Sequence, residues 1–223
     1  MVEAFFNDFA ENSYILHDSV EAYLIDPGSN TSALRETVDE RGLTVKGILL
    51  THGHYDHVNG VNSLLETYDV PVYIHESDRD FLFDPGLNLS IHMGGASQRF
   101  KLESKDKLVT FTEKDTFQLG SETITVSHTP GHTRGCVLFH YKDIIFTGDT
   151  LFRETVGRTD LPTIHLVEKL RCSGERVQGP EMQQDEDLLL ITARLRMLRR
   201  DHRHHLFSQV VLERTFFPPG SIS

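Results

Sequence analysis

The sequence predicts an α+β fold. Three observations carry the prediction. Short apolar runs of strand length recur between residues 13 and 147, two stretches among them carry apolar residues at helical spacing, and the connections are brief and marked by turn residues. Ser13–Leu16 and Ala22–Ile25 are the first two strands, the second stopped by the turn Asp26-Pro27-Gly28. Residues 31–41 read as a helix, capped by Thr31 or Ser32, with Leu34 and Val38 four apart on one face. Val45–Leu50 is too short and too apolar for a helix and reads as a buried strand. Helical spacing resumes over Val58–Tyr68 through Val61, Leu64 and Leu65, and Val70–Ile74 is the next strand.

Gly, Pro and Asn make Asp84–Gly95 a loop. Val109–Phe111, Thr116–Leu119, Glu122–Ser127, Val137–Tyr141 and Ile144–Thr147 follow as strands, with Lys142-Asp143 as a two-residue hairpin turn. Thr123 to Val126 alternates as a half-buried strand does. The character changes near residue 172. Residues 173–187 are polar, then Leu188, Ile191, Leu195 and Leu198 share one helical face between an acidic entry and a basic exit, as the helix dipole favours.

Composition narrows the function. Lys and Arg number 22 against 33 Asp and Glu, a net charge of −11, which disfavours nucleic acid or anionic lipid as a partner held by bulk electrostatics. No apolar stretch approaches the 18 or so residues of a membrane span, and the N-terminal residues lack the basic start and apolar run of an export signal. The expectation is a cytoplasmic, soluble protein. Two cysteines, Cys136 and Cys172, offer no disulfide framework, and Cys136 inside an apolar run reads as packing. The 13 histidines are the anomaly.

Four chemically matched residues, His52, His54, Asp56 and His57, follow the strand Val45–Leu50 within six positions. At the chain's own residue frequencies the pattern His-x-His-x-Asp-His arises by chance about 0.003 times in this length. Imidazole and carboxylate together suit zinc, iron or manganese. On a loop, alternating His52 and His54 can face one ion while the adjacent Asp56 and His57 turn to a second. His132, in the turn Thr129-Pro130-Gly131-His132-Thr133, and Asp149, in Thr147-Gly148-Asp149-Thr150, stand at strand ends, where a rigid frame holds ligands.

These motifs, in this order, resemble the metallo-β-lactamase-like hydrolase superfamily, over residues 10–165. Ala22–Gly28, His128–Gly135, Phe146–Phe152 and Gly157–Pro162 look like its glyoxalase II (hydroxyacylglutathione hydrolase) and persulfide dioxygenase neighbourhood. The resemblance implies a single domain over residues 1–223, folded as an αββα sandwich with its site at one sheet edge. It implies that His52, His54 and His132 bind one metal, Asp56 and His57 a second, and that Asp149 bridges. Two divalent ions, zinc foremost with iron or manganese as alternatives, would activate a water for attack on an acyl carbonyl, with Asp56 as the catalytic residue that orients it. The implied substrate is a small acyl compound, a thioester above all. Alternatives on the same residues are a mononuclear-iron persulfide dioxygenase using His52, His132 and Asp149, a lactone hydrolase, and a metal-binding member with little activity. The chain departs from the pattern over residues 166–223. Nothing after Pro162 matches the family's C-terminal Pro-Gly-His-Gly-like turn, and His202, His204 and His205 stand in a basic run without turn residues, so the second site is one ligand short.

Overall fold

The computed structural model describes residues 1–6, 11–93, 99–152, 157–158 and 211–213. The helix expected at 188–198, the histidines 202, 204 and 205, Cys172 and the stretch 159–162 lie outside the described residues.

Two sheets stack face to face. The first runs in the order β1 (Val2–Phe6), β2 (Asn12–His17), β3 (Glu21–Ile25), β4 (Thr44–Leu49), β5 (Val72–His75), β6 (Leu108–Phe111). Its β1–β2–β3 edge is antiparallel, whereas β3 to β6 are parallel. The second sheet, β11 (Val211–Glu213), β10 (Ile144–Phe146), β9 (Val137–Tyr141), β8 (Glu122–His128), β7 (Thr116–Leu119), is antiparallel throughout. Between β9 and β10 the chain reverses at Lys142, whose φ of 55° bears out the expected hairpin turn.

Alternation along the strands divides the core. Tyr14, Leu16, Tyr23, Ile25 and Leu49 point into the space between the sheets and meet Phe117, Ile124, Phe139 and Phe146. Ile15, Leu24, Ile48, Val72 and Ile74 face the other way, onto α1 (Thr31–Glu40), α2 (Tyr55–Val58) and α3 (Val61–Leu65), through Leu34, Val38, Val58, Val61 and Leu64. In β4 an extra residue, Lys46, sits opposite the Ala22/Tyr23 step, and this bulge lets Val45 and Ile48, three apart, share the helix-side face. This is the mixed α+β arrangement of a sandwich of two sheets flanked by helices. No helix of the described residues is long and apolar enough to cross a membrane.

Four elements differ from expectation. Strand β1 was not foreseen. The cap of α1 is Asn30, in the left-handed region at φ 55°, rather than Thr31 or Ser32. Its side chain donates to the Phe6 carbonyl at 2.7 Å, which anchors the end of β1, while Thr31 Oγ1 accepts from Arg35 within the helix. The helix expected over 58–68 is the shorter α3, Val61–Leu65, preceded by the separate α2, and Gly60 N donates to Pro27 O at 2.8 Å where the chain turns between them. Finally, the Asp84–Gly95 loop includes a 3-10 turn at Ser90–His92.

Candidate metal centre

Parallel strands β3, β4 and β5 all finish at one edge, where open parallel sheets generally place their ligands. Asp26 follows β3, and the segment with His52 and His54 follows β4. A 3-10 turn, Glu76–Leu82, follows β5. From the second sheet, the β8–β9 loop brings His132, and the 3-10 turn Gly148–Thr150 after β10 brings Asp149. His52 and His54 lie on extended loop, as expected, but His54 is the N-cap of α2, so Asp56 and His57 sit on that helix rather than on a loop. The helical turn still separates the pairs.

All six residues named from the sequence converge. Donor atoms of His52, His54 and His132 lie within 4.8 Å of one another, and so do those of His52, His57 and Asp149. His52 belongs to both groups, its ring 4.0 Å from that of His57. Asp149 spans them: Oδ1 is 3.2 Å from His57 Nε2, and Oδ2 is 3.2 Å from His132 Nε2. Asp56 Oδ2 is 3.8 Å from His57 Nε2. The histidines are buried, whereas the side chains of Asp56 and Asp149 are 36% and 17% exposed, so the carboxylates mark the side open to solvent.

The hydrogen bonds behind the rings assign their tautomers. Thr51 Oγ1 donates to Asp26 Oδ2 at 2.5 Å, leaving its oxygen to accept from His52 Nδ1 at 3.3 Å. The lone pair of His52 is therefore on Nε2, which is buried without a hydrogen-bond partner. His57 Nδ1 donates to Asp26 Oδ2 at 3.0 Å, and His132 Nδ1 donates to the Arg158 carbonyl at 2.9 Å. Both present Nε2 to the cluster. His54 Nδ1 and His132 Nε2 stand 2.8 Å apart, a pair held by a shared proton that an ion replaces. A buried His52 lone pair left without a donor, beside imidazole nitrogens this close together, is what a metal satisfies. The residues fit the group.

Electrostatics agree for His52 and His54. Burial first, then the neighbouring imidazoles, holds His52 and His54 well below the ordinary histidine pKa, so both are neutral as ligands must be. For His57 burial opposes charge, but Asp56, Asp26 and Asp149 outweigh it and raise the pKa well above the usual value. Burial likewise opposes ionisation of Asp149, yet His57 and His132 pull its pKa down. Burial raises that of Asp56. Cys136 is buried, its thiol pKa pushed up by burial, and it accepts from Thr133 N at 3.2 Å, in keeping with a packing role.

Three carboxylates were missed. Asp26, read from the sequence only as a turn residue, accepts from Thr51 N at 2.7 Å as well as from Thr51 Oγ1 and His57. Glu11, buried beside Asp26 and His57, completes a third cluster of donor atoms behind the site. Asp78, on the turn after β5, is buried as well and meets the loops of both His54 and His132.

The model of the metallo-beta-lactamase superfamily matches residues 6–201 of this chain. The chain belongs to that superfamily. An uncharacterized protein of Mycobacterium leprae is 42% identical over 160 residues, covering 67% of this chain and 72% of that protein. The hydroxyacylglutathione hydrolase GloC of Haemophilus influenzae is 34% identical over 161 residues, 69% of this chain and 73% of its own. Among solved structures, the BLEG-1 B3 metallo-beta-lactamase superposes with a TM-score of 0.67 at 33% identity, covering 79% of this chain and 85% of its own. TTHA1623 in a di-iron-bound form gives 0.62 at 32%, covering 78% and 83%. The sandwich is thus the superfamily's fold, and the chain is an enzyme of the metallo-hydrolase type.

Proposed function

We propose that this superfamily member binds two divalent metal ions and hydrolyses a small acyl substrate, a thioester foremost. His52, His54 and His132 would hold the first ion, Asp56 and His57 the second, with Asp149 shared. The observation that carries the reading is the Asp149 carboxylate, whose two oxygens each stand 3.2 Å from a histidine of a different group. Bound divalent ions supply a hydroxide near neutral pH and polarise a carbonyl. Asp56, on the solvent side, orients the attacking water and takes its proton at a carboxylate oxygen. Asp26 fixes the His57 ring through Nδ1, and Thr51 fixes that of His52. The GloC relative supports a thioester. Metal analysis with thioester hydrolysis tests the proposal, and activity that survives exhaustive chelation refutes it.

A second reading is iron-dependent oxygenation of a persulfide, and it draws on the comparisons at least as much as the thioester does. His52, His132 and Asp149 would supply a two-histidine, one-carboxylate set of the kind that binds non-haem iron, the His52 and His132 rings standing 4.9 Å apart and His132 Nε2 3.2 Å from Asp149 Oδ2, and the 32%-identical TTHA1623 has a di-iron-bound form. By sequence, Gly157-Arg158-Thr159-Asp160 resembles that branch as well as small glyoxalase II-like hydrolases. Purified protein that holds zinc but no iron and consumes no oxygen with a persulfide rules this out.

A further inference from the structure

The turn Glu76–Leu82 carries none of the residues assigned to metal, yet it touches both loops that supply the first metal group. Asp78 is fully buried. Its Oδ2 accepts from Gly53 N at 3.1 Å, between His52 and His54, and from Thr133 Oγ1 at 2.6 Å, next to His132. Its Oδ1 accepts from Gly135 N at 2.8 Å on the same β8–β9 loop. One carboxylate thus ties a loop of the first sheet to a loop of the second.

Its neighbours on the turn reinforce the tie. Arg134 Nε donates to the Ser77 carbonyl at 2.6 Å and lays its guanidinium over the Phe81 ring, which in turn stands 5.8 Å from the ring of His54. The two loop glycines are shaped to this contact. A methyl carbon added at Gly135 would lie 2.6 Å from Asp78 Cγ, and one at Gly53 would collide with Phe81 Cβ. The backbone of each loop is pressed against the turn at the positions beside the ligands. A carboxylate that accepts three donors at once, across two loops separated by more than fifty residues of chain, is more than a local cap.

We infer that Asp78 is a positioning residue that sets His132 against His52 and His54 by clamping their two loops. The inference rests on the three-histidine metal site proposed above. An asparagine of the same shape keeps only one acceptor oxygen, so its amide nitrogen faces either Gly135 N, which loosens one loop, or both Gly53 N and Thr133 Oγ1, which loosens both. Thr133→Val removes one of the three donors and leaves the rest. Thr133→Ser keeps the hydroxyl.

The test measures affinity for the first ion on purified metal-loaded full-length protein, by competition with a chromophoric chelator and by the visible spectrum after cobalt substitution. Urea unfolding is followed in parallel. Asp78→Asn is expected to weaken the first ion about 10–100-fold and to alter the cobalt bands. Thr133→Val is expected to weaken it by a smaller factor, and Thr133→Ser to restore wild-type binding. Leu119→Ala, a core truncation remote from both loops, is expected to lower the urea midpoint with the affinity and spectrum unchanged. Wild-type affinity and bands in both Asp78→Asn and Thr133→Val, with binding abolished in His54→Ala, overturn the clamp alone. A wild-type protein that binds no more cobalt than His54→Ala overturns the metal site and the clamp with it.

Discussion

Replacing Asp26 by asparagine should disarm the proposed second metal position while leaving the identity of every residue assigned to it unchanged. Asp26 is fully buried and accepts three hydrogen bonds, from Thr51 N, Thr51 Oγ1 and His57 Nδ1. Asparagine can still accept from Thr51 N through Oδ1. Its amide nitrogen then replaces the oxygen that served both Thr51 Oγ1 and His57 Nδ1, and two donors face a donor. A buried polar group left without a partner costs about 1–3 kcal/mol, so two such conflicts predict a loss of roughly 2–6 kcal/mol, reduced where Thr51 Oγ1 rotates its hydrogen away. Without its acceptor, His57 no longer keeps its proton on Nδ1, and the lone pair aimed at Asp149 and Asp56 is lost in part of the population. Affinity for the second ion should fall about 10–100-fold, the usual effect of removing a carboxylate behind a ligating imidazole. Two-site metal titration against a chelator measures it, with urea unfolding on the same samples. A variant with normal second-ion affinity and normal stability would refute the tautomer assignment and the support given to Asp26.

Other outcomes follow from the same geometry. His54→Ala should strip the first ion and abolish turnover, because two imidazoles cannot hold it comparably; metal analysis per chain decides this. Asp56→Asn should keep the first ion, whose three histidines are intact, while turnover falls about 10²–10⁴-fold, as loss of a proton-transfer group predicts. His75, stacked at 4.0 Å on His128 with Phe111 edge-on, has its pKa lowered to about 4 by burial and by His128. Since that lies below the ordinary 6.5, the folded state binds fewer protons than the unfolded one, and the contribution of His75 to stability is present above pH 6.5 and lost as pH falls toward 4. An NMR titration should show its ring neutral at pH 5, and a protonated ring there would contradict the burial. Cys136 should resist iodoacetamide in the folded protein and react once it is unfolded, read by peptide mass spectrometry at that residue.

The sequence announced the proposed ligands and concealed their supports for one physical reason. His52, His54, Asp56 and His57 lie within six residues, and His132 and Asp149 stand beside turns at strand ends, so their meeting follows from local structure and strand order. Asp26 reaches Thr51 and His57 across 25 and 31 residues, and Asp78 reaches Thr133 and Gly135 across 55 and 57. No local pattern encodes such a contact, because each depends on how two sheet edges and a turn stack. The same nonlocality hid β1, an edge strand whose half-exposed pattern carries little apolar signal, and the break between α2 and α3, set by a carbonyl of Pro27 more than thirty residues earlier. Yet the supports leave a trace. Gly53 sits between two histidines of the cluster, and Gly135 three residues after His132, at positions where a side chain would strike the turn that carries Asp78. A glycine beside a metal ligand, unexplained by a positive φ, therefore points to a second element pressed against the ligand loop. If the clamp is correct, Gly135→Ala should push Asp78 off the loop and weaken the first ion as Asp78→Asn does, although alanine brings neither charge nor ligand; unchanged affinity in Gly135→Ala would show that the close approach has no bearing on the histidines.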